Sequence, residues 1–299
     1  MDIRSCIVST ADGRTLRVDH ADVPAGFPVL VHAGSPGSRR MLGSAVELAA
    51  TGFGLRLISY DRPGYGDSPA APGRRVADAA ADAAAIAAAL GLTRLATWGH
   101  SGGGPYALAC AGLLPDLVVA GCVFASPAPV DAPGLDFVAG WSDGDREEFE
   151  LFFRQPELAR ELRWSRAQQA LPALSTAAGW LDLFGAQERT ADARTRELAS
   201  YLALVQQDTL CRGDEGWWED NVALLSPWGF DPAAISVPVQ LWHGERDAAV
   251  PPAHGHWLAS RIPGADVHLL PGDDHGSIHD DHLVEAYGWL RQVALPGAR

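Results

Sequence analysis

Through the first 125 residues, short apolar runs bounded by turn residues alternate with longer stretches that repeat at helical spacing. Residues 3–10 and 14–20 flank Asp12-Gly13, a pair that accepts the positive φ of a tight hairpin turn. Residues 28–32 (Pro-Val-Leu-Val-His) are almost continuously apolar, as suits a strand covered on both faces. Helices are predicted over 41–50, 74–90 and 102–114, and strands over 54–60, 94–98 and 117–125. This βαβ rhythm specifies a parallel sheet covered by helices. Within the Ala-rich 74–90 segment, Asp78 and Asp82 stand four apart and mark an exposed stripe on a helix packed to the sheet by its alanines.

The rhythm changes after Phe124. From about 128 to 225 the pattern is helical throughout: 145–154, a segment entered by Pro156, then 173–184, 188–211 and 215–225. Strand rhythm returns at 237–243 and 265–270, each followed by a predicted helix. The expected organisation is an α/β core domain of residues 1–127 and 226–299, interrupted by a helical insertion over 128–225.

Composition narrows the chemistry. The chain has 299 residues, 47% of them hydrophobic, and all 23 of its Lys+Arg total are Arg. Without lysine there is no Schiff-base lysine, no phosphate-loop lysine and no kinase ATP lysine. The formal charge of −14 argues against nucleic acid and anionic membrane surfaces as partners. The insertion alone holds 18 acidic residues against 9 Arg, so it carries −9 of that total. It also contains five Trp, at 141, 164, 180, 217 and 218, which suits a solvated outer face and an apolar inner one. Cys6, Cys110, Cys122 and Cys211 form no C-x-x-C pair and read as reduced. With no apolar run long enough for a bilayer and charges in the first residues, a cytoplasmic protein is expected.

Trp98-Gly-His-Ser-Gly-Gly-Gly104 falls at a predicted strand-to-helix junction and contains G-x-S-x-G, with Ser101 at its centre. A nucleophile raised out of a sheet on a sharp turn has no room for side chains beside it, which explains the glycines. A serine needs a base and an orienting acid. Asp247 leaves the strand at 237–243 and His275 leaves the next one, so all three fall at one sheet edge in the order Ser, Asp, His. Glu245 is the alternative acid, whereas Asp273 and Asp274 read as turn formers. An oxyanion hole requires two amides, each worth about 3 kcal/mol in rate. Gly102 offers one, and the loop His32-Ala-Gly-Ser-Pro-Gly-Ser38 the other, from Ser35 or Gly34. Gly34 and His100 are also candidates for substrate contact. Asp61 and Arg62 read as loop-structuring groups. Six of the ten histidines (254, 256, 268, 275, 279 and 282) crowd the last fifty residues without a ligand signature, so they read as solvated and no metal or cofactor is expected.

Together, the His32 to Gly37 loop, Tyr60-Asp-Arg-Pro-Gly-Tyr-Gly-Asp-Ser68, the Ser101 elbow and the Asp247 and His275 loops resemble the α/β-hydrolase superfamily over nearly the whole chain. That resemblance implies the α/β-hydrolase fold: a mostly parallel, eight-stranded sheet with helices on both faces and a helical cap after strand six. It implies Ser101, Asp247 and His275 as nucleophile, acid and base. The expected activity is a carboxylesterase-like serine hydrolase acting on a small to medium, largely apolar ester. Carbon-carbon bond hydrolase, aminopeptidase and perhydrolase activities of the same fold stay open, as does a ligand-binding receptor with vestigial turnover.

Overall fold

A computed structural model of the chain describes residues 2–23, 25–41, 50–183 and 193–295. Eight strands form one sheet in the order β1-β2-β4-β3-β5-β6-β7-β8. They are β1 (Ile3–Ser9), β2 (Thr15–Ala21), β3 (Phe27–His32), β4 (Leu55–Tyr60), β5 (Leu95–His100), β6 (Val118–Phe124), β7 (Val239–Gly244) and β8 (Asp266–Leu270). Strand β2 pairs antiparallel with both β1 and β4, and every other pairing is parallel. The first hairpin closes where Asp12-Gly13 predicts it, with Gly13 at φ 87° and Thr10 N donating to Arg14 O at 2.9 Å.

Two apolar layers follow from the two-residue period of the strands. Leu30 of β3, Ile58 and Tyr60 of β4, and Leu241 of β7 face one layer. That layer is completed by α1 (Ala79–Ala89), α2 (Gly104–Leu113) and α8 (Pro252–Arg261). Val29 and Val31, Leu55 and Leu57, and Trp242 face the other, against α9 (Ser277–Asp280) and α10 (Leu283–Ala294). Between β6 and β7 run α3 (Asp143–Arg154), α4 (Pro156–Leu174), α5 (Ala177–Leu183), α6 (Ala193–Leu210) and α7 (Glu215–Leu224). Ser142 caps α3 by accepting from Asp145 N. The helix predicted over 41–50 and the first part of the one over 188–211 fall largely outside the described residues. Among the described residues, no helix is long and apolar enough to cross a membrane.

One expectation is corrected. Helix α1 does pack by Ala79, Ala80, Ala83 and Ala87, but Asp82 is not on an exposed stripe: it is 4% exposed and lies 2.8 Å from the Arg14 guanidinium. The β1–β2 hairpin covers that face of the helix, and burial raises the Asp82 carboxyl above its ordinary value. Replacing Arg14 by Met strands this carboxylate, at an expected cost of about 1–3 kcal/mol. Urea unfolding should show that loss in Arg14→Met and a smaller one in the double variant with Asp82→Asn; equal losses would contradict the pairing.

Candidate active site

Parallel strands deliver their carboxyl ends, and the loops after β3, β4, β5, β7 and β8, to one edge of the sheet. Ser101 follows β5 directly and takes φ 53°, a left-handed conformation that side chains rarely adopt. Residues 101–103 form one 3-10 turn before α2 begins. A Cβ on Gly99 would lie 2.5 Å from the Gly103 carbonyl oxygen, and one on Gly103 would collide with the His32 carbonyl. The elbow is therefore packed backbone against backbone, which is the steric reason for its glycines.

His275, from the loop after β8, accepts from the Ser101 hydroxyl at Nε2 over 3.0 Å and donates from Nδ1 to Asp247 Oδ2 over 2.8 Å. Asp247 has no exposed side-chain surface. Its other oxygen accepts from the Ala249 and Val250 amides at 2.9 and 2.8 Å, so both the carboxylate plane and the imidazole tautomer are set. The alternative acid, Glu245, points elsewhere, to His256 at 2.9 Å. Asp274 accepts from the Gly276 and Ser277 amides, as a turn former does.

His100 packs against His275 and His279. A carbonyl can only accept, so its Nε2 donates to His275 O at 3.0 Å, and its ring packs 5.0 Å from both His275 and His279. Burial holds it well below the usual histidine range, with His279 and His275 adding to the effect. The reading of the late histidines as solvated also fails at His254, which is 1% exposed. Its Nε2 donates to Phe137 O at 2.9 Å while Nδ1 accepts from Ala128 N at 3.1 Å, fixing a neutral ring.

On the opposite side of Ser101, the Gly102 and Ser35 backbones meet: a Cβ on Gly102 would stand 2.7 Å from Ser35 Cβ and 3.2 Å from Ser35 N. Gly34 is close to Ser101 as well, 3.6 Å from a Cβ on Gly34 to that of Ser101. Behind this loop lies Arg62, 1% exposed, which bonds to the Ala33 and Gly34 carbonyls and to Asp220 of α7. Asp61 is equally buried and accepts from the Arg39 amide and guanidinium.

A cavity of about 380 Å³ opens onto Ser101, Gly102 and Ser35. Its apolar wall includes Phe137, Trp141, Phe149, Leu224 and Val250, and Phe137 and Phe149 stack at 5.5 Å. Its polar side includes Asp145, Glu148, Arg163 and Asn221. Glu148 is engaged by both Arg163 and Arg166, each at 2.6 Å. Sequence pattern alone did not identify these lining residues, since Phe149 and Phe152 sit in one helix and only the first faces the cavity. Nor do the insertion's tryptophans share one role: Trp141 lines the cavity, while Trp218 packs on Phe152 inside the insertion. Among the described residues, no cluster of His, Cys, Asp or Glu is arranged to hold a metal ion.

A model of the alpha/beta hydrolase fold matches residues 28–282. The chain belongs to the alpha/beta hydrolase fold family. Pimeloyl-acyl-carrier-protein methyl ester esterase of Xanthomonas campestris pv. campestris is 29% identical over 288 residues, covering 89% of this chain and 96% of the relative. An alpha/beta hydrolase fold protein from Nakamurella multipartita superposes with a TM-score of 0.65 at 25% identity, covering 97% of this chain and 99% of its own. An esterase from Rhodococcus sp. shares the fold at a TM-score of 0.66 and 21% identity, over 98% of this chain and 100% of its own.

This α/β hydrolase buries several neutral imidazoles. Burial, assisted by the Arg62 charge, lowers His32 to about 3; burial lowers His254 to about 4 against the pull of the Phe137 carbonyl. The unfolded chain protonates them near pH 6.5, whereas the folded chain does not until far lower. Stability should therefore fall as pH drops from about 6.5 towards 4, by up to about 1.4 kcal/mol per unit for each histidine. Urea midpoints at pH 7, 6 and 5 test this, and a flat profile contradicts it; His254→Asn should make the decline shallower.

Proposed function

We propose that this hydrolase is a carboxylesterase acting through an acyl-enzyme on Ser101. The observation that carries the reading is the unbroken hydrogen-bonded chain Asp247–His275–Ser101, ending at a cavity flanked by the Gly102 and Ser35 amides. His275 Nε2 takes the hydroxyl proton as Ser101 Oγ bonds to the ester carbonyl carbon. The carbonyl oxygen becomes an anion, held by the Gly102 and Ser35 N–H groups. Its collapse breaks the carbon-oxygen bond, and the proton passes from Nε2 to the departing alkoxide. Water then enters by the same base and releases the acid, and Asp247 stabilises the imidazolium that forms in each half-reaction.

The substrate we assign is a small to medium ester with a largely apolar acyl group. About 380 Å³ walled by Phe137, Trp141, Phe149 and Leu224 suits such a group. The acidic insertion, which we take as a cap over residues 128–225, repels anionic carriers and polyanionic thioesters. We therefore favour the free ester over a carrier-borne one, unlike the substrate in the name of the Xanthomonas relative. An aminopeptidase reading is weaker, because Glu148, the better buried carboxylate at the cavity, is neutralised by Arg163 and Arg166 and cannot receive a substrate ammonium.

A fluorophosphonate probe should add its mass to Ser101 in the folded protein and not in Ser101→Ala; an unlabelled Ser101 sinks the assignment. With p-nitrophenyl esters, kcat/KM should rise with acyl length and then drop once the cavity is full, and indifference to length would argue against an apolar acyl site. His275→Ala should lose several orders of magnitude in acylation with little change in thermal stability.

A further inference from the structure

We propose that Arg62 and Asp220 are positioning residues for the oxyanion hole, a role that rests on the esterase reading above. The hydrogen bonds of the Arg62 guanidinium divide between two tasks. Nη1 donates to Ala33 O at 2.6 Å and Nη2 to Gly34 O at 2.7 Å. Nε and Nη2 donate to the two oxygens of Asp220 at 3.1 and 2.5 Å.

The geometry of the peptide unit turns the first task into a catalytic consequence. In a trans peptide the C=O and the following N–H point in opposite directions. Gly34 O and Ser35 N belong to one such unit. Pinning that oxygen on Arg62 therefore aims the Ser35 N–H away from the guanidinium and towards the elbow, where Ser35 N neighbours Gly102. Gly34 has no side chain to resist a turn of this peptide plane. Released from Arg62, the plane can rotate and present a carbonyl dipole where the oxyanion forms, so the clamp removes an arrangement that repels the transition state as well as supplying a donor.

Asp220 performs the second task. It is fully buried, and though burial alone raises a carboxyl, the charges of Arg62 and Arg74 hold it well below the ordinary range. It also accepts from the Tyr65 and Tyr106 hydroxyls, both at 2.8 Å, so its own position is over-determined. Because it lies on α7, four residues before the cavity-lining Leu224, the same helix that walls the cavity also sets the guanidinium that aims the loop.

The test compares Arg62→Lys and Asp220→Asn with Arg74→Gln, which disturbs the same buried network but has no contact with the loop. Arg62→Lys and Asp220→Asn should each lower kcat for a p-nitrophenyl ester, the first by roughly 10²–10³-fold as for loss of an oxyanion donor. KM should stay within about twofold. Arg74→Gln should lose thermal stability but keep kcat within about threefold. A folded Arg62→Lys with near-normal kcat, or an Arg74→Gln that loses as much kcat, overturns the proposal. Should the Arg62 and Asp220 variants not fold, the wild-type protein still decides. In the ¹⁵N-labelled enzyme, phosphonylation of Ser101 should shift the Ser35 and Gly102 amide protons downfield, and an unmoved Ser35 amide overturns the proposal. Failure of wild-type Ser101 to take the phosphonate at all would instead overturn the esterase reading.

Discussion

A carboxylate withdrawn from water must be met by opposite charge and by donors, and Asp220 is met by four side chains outside its own helix: Arg62, Arg74, Tyr65 and Tyr106. They come from three stretches of the chain that precede β6. Arg62 and Tyr65 follow β4, Arg74 precedes α1, and Tyr106 lies in the first turn of α2, just past the Ser101 elbow. One buried anion thus fixes the seat of α7, the course of the loop after β4 and the start of the helix behind Ser101. Breaking it on either side leaves an uncompensated charge in the interior, so these segments are held as a unit.

The same logic extends along the seam between insertion and sheet. Asp208 of α6 approaches Arg39 and Arg40 at 3.4 and 3.7 Å, Glu219 lies 3.5 Å from Arg74 and accepts from Ala71 N, and Asp67 pairs with Arg212. Part of the insertion's −9 therefore faces core arginines instead of solvent. Its acidity has two faces: inner carboxylates dock the helices, and outer ones set the field that an approaching substrate meets.

Much of this was legible in residue order. Strand positions followed from apolar runs at 28–32 and 54–60, and the meeting of Ser101, Asp247 and His275, which we propose as the triad, from Gly99, Ser101 and Gly103 with an Asp and a His after later strands. Such features are local, and a strand end or an elbow is encoded within a few residues. What stayed hidden depends on pairs distant in sequence. Asp82 looked like surface because its partner, Arg14, lies 68 residues away on a hairpin. His254 looked solvated because the Phe137 and Ala128 backbone groups that hold it belong to the start of the insertion. Arg62 was readable as a loop-structuring group, but the carboxylate that orients it stands 158 residues further on.

The absence of lysine, at first only an exclusion of mechanisms, bears on this seam as well. Arg62 reaches two carbonyls and both oxygens of a carboxylate at once, a task that needs several donors in one rigid plane. An ammonium offers three donors from a single nitrogen and cannot span the Ala33 and Gly34 carbonyls while bridging Asp220. The guanidinium also lies 4.8 Å over the Tyr106 ring and 5.5 Å over that of Tyr65, contacts that favour a planar, weakly hydrated cation in a buried site. The chain's use of arginine alone is a compositional bias without a functional cause of its own. At position 62, however, the geometry of the loop makes arginine a requirement.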